Sequence, residues 1–157
     1  MMGRVAAILI ALLCILMFAF GYHIQNGADN GLMGMLLYQF CHVNIWHLLG
    51  NMAALYSIES SKFRTPMVYW LLAYVISVVA PCTHPTEGMS GMLYAMMGIL
   101  SWQAAYKMKF HMWCAGFMAV CFLFPNSINA WIHVYCYGVG VCLQYIILGF
   151  PKTKARF

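Results

Sequence analysis

Apolar residues run along this chain in long blocks, and polar residues gather between them. The first block is Val5 to Tyr22, preceded by Arg4. The second, Asn44 to Ile58, closes on Glu59, Lys62 and Arg64. The third runs from Pro66 to Ala80 and the fourth from Ser90 to Tyr106, with the loop Pro81 to Met89 between them. The fifth is Phe110 to Phe124, ended by Pro125, and the sixth is Ser127 to Leu148, closed by Pro151 and Lys152. A helix needs about 20 mostly apolar residues to cross the hydrocarbon core, so each block reads as one span. Residues 23–41 form a long first loop. Inside it Leu32 to Phe40 is apolar but too short to span, and is expected to lie at the interface or re-enter. The first block has the single charge and apolar core of a signal peptide. No small-x-small cleavage pattern follows it, so it reads as a retained span.

Composition agrees with this pattern. Of 157 residues, 64% are hydrophobic and 7% charged, and the mean hydropathy is +0.79. Those values exclude an ordinary soluble domain and imply a polytopic all-α membrane protein embedded in a lipid bilayer. The net charge of +5 does not point to nucleic acid, because the basic residues are scattered between apolar blocks. Seven cysteines show neither CxxC spacing nor a disulfide framework. Most sit in apolar blocks, where cysteine behaves as a small hydrophobe. Cys41 and Cys82 lie near loop ends, so a bridge between them is one arrangement the sequence permits. No repeat, linker or second domain is visible, and residues 1–157 read as a single domain.

The basic residues give the orientation. Arg4 precedes the first span, Lys62 and Arg64 follow the second, Lys107 and Lys109 follow the fourth, and Lys152, Lys154 and Arg156 follow the sixth. With six spans all eight fall on one side, which the positive-inside rule makes the cytoplasm. Both termini are then cytoplasmic, in a multi-pass protein of the cell membrane.

Against this apolar background a few polar residues stand out, and such residues in spans are costly and often functional. His42, His47 and Asn51 mark the start of span two, Ser90 opens span four, and His133 lies in span six. At about 1.5 Å per helical residue, His47 and Asn51 lie about 22 and 17 Å from Lys62. By the same rise Ser90 lies about 25 Å from Lys107, and His133 about 24 Å from Gly149. The four side chains can therefore share one level just below the outer surface. Span four is then too short to cross fully, and the preceding loop must dip to membrane depth, where it needs protein or a wet cavity around it.

Ser90 sits where loop becomes helix, bracketed by Gly88 and Gly91, which permit tight turning and close approach. Two readings stay open for it: a helix cap, or a nucleophile beside helix N–H groups that stabilise an oxyanion. His47 and Asn51, at i and i+4, share a helix face and can both donate to that oxyanion. His42, five residues before His47, is off that face and braces the loop. Tyr94, four residues after Ser90, can pack under a group approaching the serine. His133 is the histidine placed to act as base. A lone His or Asn in a span often just bonds another helix, but four polar residues at one depth favour a shared site. No acid is placed to complete a triad: Asp29 is in the first loop, Glu59 is on the far side and Glu87 would have to fold back. Met92 breaks the hydrolase elbow G-x-S-x-G, which leaves a Ser-His dyad. The 14 methionines raise a rival reading as a metal transporter with histidine co-ligands, but they are scattered as packing residues. Glu59 reads as a structural hydrogen-bonding group near the cytoplasmic edge.

This constellation resembles the rhomboid intramembrane serine proteases. The family's G-x-S-G and Y-A-x-M-G motifs match Gly88-Met89-Ser90-Gly91 and Tyr94-Ala95-Met96-Met97-Gly98. Its H-x-x-x-x-H-x-x-x-N element matches His42, His47 and Asn51. Its last-span histidine, followed by small residues three and seven positions on, matches His133 with Cys136 and Gly140. The resemblance implies a six-helix bundle with Ser90 as nucleophile and His133 as base. His47, Asn51 and the Ser90 N–H would form the oxyanion hole, with transmembrane protein segments as substrates and no metal or organic cofactor. The alternative within the resemblance is an inactive relative that binds membrane clients. The chain departs from the family in three places. Cys136 replaces a usual glycine, which predicts a wider approach of spans four and six. The first loop lacks the common Trp-Arg pair, and the loop between spans four and five is very short.

Overall fold

The computed structural model describes residues 2–26, 30–81, 84–124 and 128–147. Within them the chain forms seven α-helices: α1 (Met2–Ala19), α2 (Gly31–Leu37), α3 (Ile45–Ser60), α4 (Met67–Val78), α5 (Ser90–Leu100), α6 (Lys107–Cys121) and α7 (Ala130–Ile147). Single 3-10 turns extend α2 over Tyr38–Phe40 and α5 over Ser101–Gln103. Among the described residues there is no strand, only an isolated backbone bridge between Asn26 and Thr86. The fold is all-α.

α5 is the central helix. Nine of its residues, Gly91 to Met96 and Gly98 to Leu100, are buried, and it packs on α4, α7 and α3. Met89, Met92, Met96 and Ile99 are fully buried in the core, as are Ile132 and Cys136 of α7. The buried methionines are packing residues, as their scattered pattern implies. α6 lies at the edge, with Cys114 its one buried residue.

The outer surface is apolar. α1 alone exposes Val5, Ile8, Leu9, Leu12, Ile15 and Leu16 by 47% or more. Soluble domains rarely expose contiguous apolar surface on this scale. Among the described residues, no helix is long and apolar enough to cross a membrane. The longest, α1 and α7, have 18 residues each, about 27 Å of helix.

Several boundaries differ from those expected. The apolar stretch 32–40 folds as α2 and its 3-10 turn. The helix opened by Ser90 stops at Leu100 instead of Tyr106, and α6 begins at Lys107 instead of Phe110. The stop has a visible cause. Gln103 holds the backbone of Arg64 at two points, accepting from its N–H at 2.8 Å and donating to its carbonyl at 3.0 Å. Directly after it the backbone turns extended at Ala104 (φ −65°, ψ 131°). Lys107 and Lys109 therefore sit in the first turn of α6, not in a loop before it.

Without a Trp-Arg pair, the first loop is tied down by other bonds. Tyr38 donates to the Ser77 carbonyl at 2.9 Å and lies 2.7 Å from the Ser77 hydroxyl. Tyr74 donates to the Leu36 carbonyl at 3.1 Å. The Gly88 N–H donates to the Tyr38 carbonyl at 2.9 Å, joining the first loop to the turn before Ser90. Cys41 is a buried thiol without a disulfide, and Cys82 lies outside the described residues.

Candidate active site

Three helices begin at one level and bring their first turns together. His47 lies on the first turn of α3, Ser90 is the first residue of α5, and His133 is on the first turn of α7. Ser90 Oγ lies 2.8 Å from His133 Nε2. With Nε2 unprotonated, the serine hydroxyl donates to it. The N-cap of α5 is Met89, and no side chain caps the helix. The capping reading of Ser90 is thereby overturned: its hydroxyl is turned to His133. The uncapped first-turn N–H groups of α5 are left as donors beside it.

The two glycines that bracket Ser90 are needed for separate reasons. Gly88 has φ +115°, where side chains are strained. A Cβ there would also run into the His47 ring, 2.9 Å from its Nε2. Gly91 faces the seam between α4 and α7, and a Cβ there would come 2.8 Å from Ser77 Oγ and 3.5 Å from Cys136 Sγ. Further along the seam, Gly98 and Gly140 carry α5 and α7 into backbone contact, with a Cβ on Gly98 meeting the Tyr137 carbonyl. The Cys136 side chain is fully buried at a level where Gly91 leaves room for it.

Among the described residues no carboxylate is bonded to His133. Among the described residues its Nδ1 is buried without a hydrogen-bond partner. The ring is held by stacking instead: Tyr94 lies against it with centroids 4.4 Å apart and planes at 23°. The group that approaches Ser90 is this histidine, and Tyr94 packs against it. Glu87 is buried beside the site but turned away from His133, accepting from His23 Nδ1 at 3.2 Å.

Asn51 donates to His42 Nε2 at 3.0 Å, which fixes His42 as a neutral ring with its proton on Nδ1. His42 also packs edge-on to His47, centroids 5.3 Å apart. It thus ties the loop before α3 to the polar face of that helix. The Asn51 amide keeps a second hydrogen. His47 and Asn51 line a cavity of about 640 Å³ together with Glu87, Ser90, Asn129 and His133.

Sequence reasoning missed the frame of this cavity. Thr86 exchanges backbone bonds with Asn26 at 2.9 and 3.3 Å, and Asn129 donates to Thr86 Oγ1 at 3.0 Å. Asn129 precedes His133 by four residues, so its helical spacing was a usable signal; the loop-to-loop bridge had none. Among the described residues, no group of three or more His, Cys, Asp or Glu side chains is arranged to hold a metal ion.

A model of the Rhomboid domain matches residues 29–150, most of the chain and every element from α2 to α7. No curated protein matches the chain.

Proposed function

The chain belongs to the rhomboid family, and we propose that it is an intramembrane serine protease that cleaves transmembrane segments of other membrane proteins. The observation that carries the reading is the 2.8 Å approach of Ser90 Oγ to His133 Nε2 at an uncapped helix N-terminus. Ser90 attacks the scissile carbonyl while its proton passes to His133. The oxyanion so formed faces the Ser90 N–H, His47 and the second Asn51 hydrogen, donors fixed before charge develops. His133 then gives its proton to the leaving amine, and the acyl bond to Ser90 is hydrolysed by a water that His133 deprotonates. Glu87, bonded to His23, is outside the proton path. No metal or organic cofactor takes part.

The placement is part of the proposal. Residues 1–157 form one domain of six membrane crossings in the cell membrane, with both termini cytoplasmic. The apolar exterior and the one-sided basic residues support it. Helices shorter than the core are tolerated where the adjoining turns are covered by protein, as Tyr38 and Gln39 after α2 are.

Ser90→Ala tests the chemistry. Cleavage of a transmembrane substrate by purified protein in detergent should vanish while the thermal midpoint moves little. A fluorophosphonate probe should label the wild type at Ser90, and a His133→Ala protein only weakly. The two substitutions together should cost no more than either alone. Cleavage that survives in a folded Ser90→Ala protein would overturn the mechanism. Absence of both labelling and cleavage in the wild type would favour an inactive relative that binds membrane clients.

A further inference from the structure

A second groove lies between α1 and α3, at the end of the molecule away from Ser90. Its volume is about 460 Å³. Ala7, Ile8 and Ala11 of α1 and Met52 and Leu55 of α3 give it apolar walls, and Arg4 and Glu59 stand at its end. The two charged residues share the groove without closing on each other. Among the described residues the one ion pair is His23 with Glu87. Arg4 is exposed, while Glu59 is half-buried. Among the described residues Glu59 Oε1 is buried with no hydrogen-bond partner, so that oxygen does not fill the structural bonding role read from the sequence. A carboxylate oxygen left in that state costs free energy unless a donor reaches it.

We propose that this groove binds a phospholipid with a primary-ammonium headgroup, as in phosphatidylethanolamine. The ammonium donates to Glu59, the phosphate faces the Arg4 guanidinium, and an acyl chain lies along the α1 and α3 walls. The charge pattern selects this headgroup over its neighbours. A quaternary ammonium has no N–H to give to the Glu59 carboxylate. An anionic headgroup satisfies Arg4 but brings no cationic donor to Glu59, and its phosphate is repelled there. The proposal rests on the membrane placement argued above and not on the chemistry of Ser90.

The test is competitive lipid retention. Purified full-length protein in detergent is offered equimolar phosphatidylethanolamine, its N-monomethyl and N,N-dimethyl forms, phosphatidylcholine and phosphatidylglycerol, all with the same acyl chains. Bound lipid is counted by native mass spectrometry. Retention should fall with each methyl group, to roughly a tenth for phosphatidylcholine, the ratio that one charge-assisted hydrogen bond supplies. Glu59→Gln should erase the difference, and Arg4→Gln should weaken retention of every phospholipid in the series. Equal retention of phosphatidylethanolamine and phosphatidylcholine by the wild type would overturn the proposal. So would a preference for phosphatidylglycerol, which would mark general attraction to the basic end of the molecule. The methylation series needs only the wild type, so the proposal stays testable if a variant does not fold.

Discussion

His42 is fully buried, and its Nε2 accepts from the Asn51 amide. Burial, and then the neighbouring His47, hold its pKa down from 6.5 to about 4. The unfolded chain therefore binds more protons than the folded one between these values, and stability must fall as pH drops through that window. Protonation of Nε2 also removes the acceptor on which Asn51 depends. Unfolding free energies should be at their full value above pH 6.5 and decline towards about pH 4. In His42→Gln, which keeps an acceptor for Asn51 but cannot titrate, the decline should be shallower. Equal slopes in the two proteins would remove His42 as the source. The same bond changes what Asn51 means. The sequence makes it a donor to an oxyanion; in the fold it also satisfies a buried histidine, so truncating it costs stability as well as rate.

The seam between α5 and α7 fixes the Ser90–His133 distance at the scale of elements. Gly98 and Gly140 face each other's backbones, whereas a Cβ added at Gly116 or Gly138 would meet nothing within 4 Å. Gly98→Ala should force the helices apart and destabilise by about 1–3 kcal/mol, the usual cost of overpacking. Cleavage should fall with it, because widening the seam pulls His133 from Ser90. Gly138→Ala, on the exposed face of the same helix, should be neutral or stabilise by about 0.5–1 kcal/mol. Thermal unfolding and turnover measured on both variants decide the matter; equal effects would mean the seam is not what holds the pair. Much of this element was legible in the sequence. Four-residue spacing placed His47 with Asn51 and Ser90 with Tyr94, and the rise of a helix set Ser90 and His133 at one depth. The end of α5 was not legible. Residues 101–106 remain largely apolar and contain neither Gly nor Pro, and the stop comes from Gln103 gripping a distant backbone. Nor could hydropathy show that Tyr94 turns to the His133 ring, since both faces of α5 are buried.

Across the whole molecule the two ends differ in character. One end gathers the first turns of α3, α5 and α7 around the Ser90 cavity, roofed by the Asn26–Thr86 bridge and the Asn129–Thr86 bond. Such loop-to-loop ties follow no periodicity, which is why only their outcome, a loop held at the site, could be anticipated. The other end carries Arg4, Lys62, Arg64, Lys107 and Lys109. Lys107 Nζ lies 3.6 Å from the centroid of the Trp102 ring, and Lys109 Nζ lies 5.1 Å from that of Tyr106. Aromatic rings paired with lysines suit a headgroup layer, where the ring is half-wetted and the cation reaches water. Their placement on α6 itself, instead of a loop before it, leaves the orientation unchanged, because they still mark the end opposite Ser90. If that end is cytoplasmic, the Ser90 cavity opens towards the outer face, and substrates are cut near it. Reporter fusions after Phe157 and near Asp29 should then report opposite sides of the membrane. A matching pair of fusions in a protein with Lys107 and Lys109 both replaced by Gln should still do so, because three further basic clusters hold the orientation. Fusions that report the same side in the wild type would mean an odd number of crossings between the first loop and the C-terminus has become even, and the six-crossing arrangement would fall.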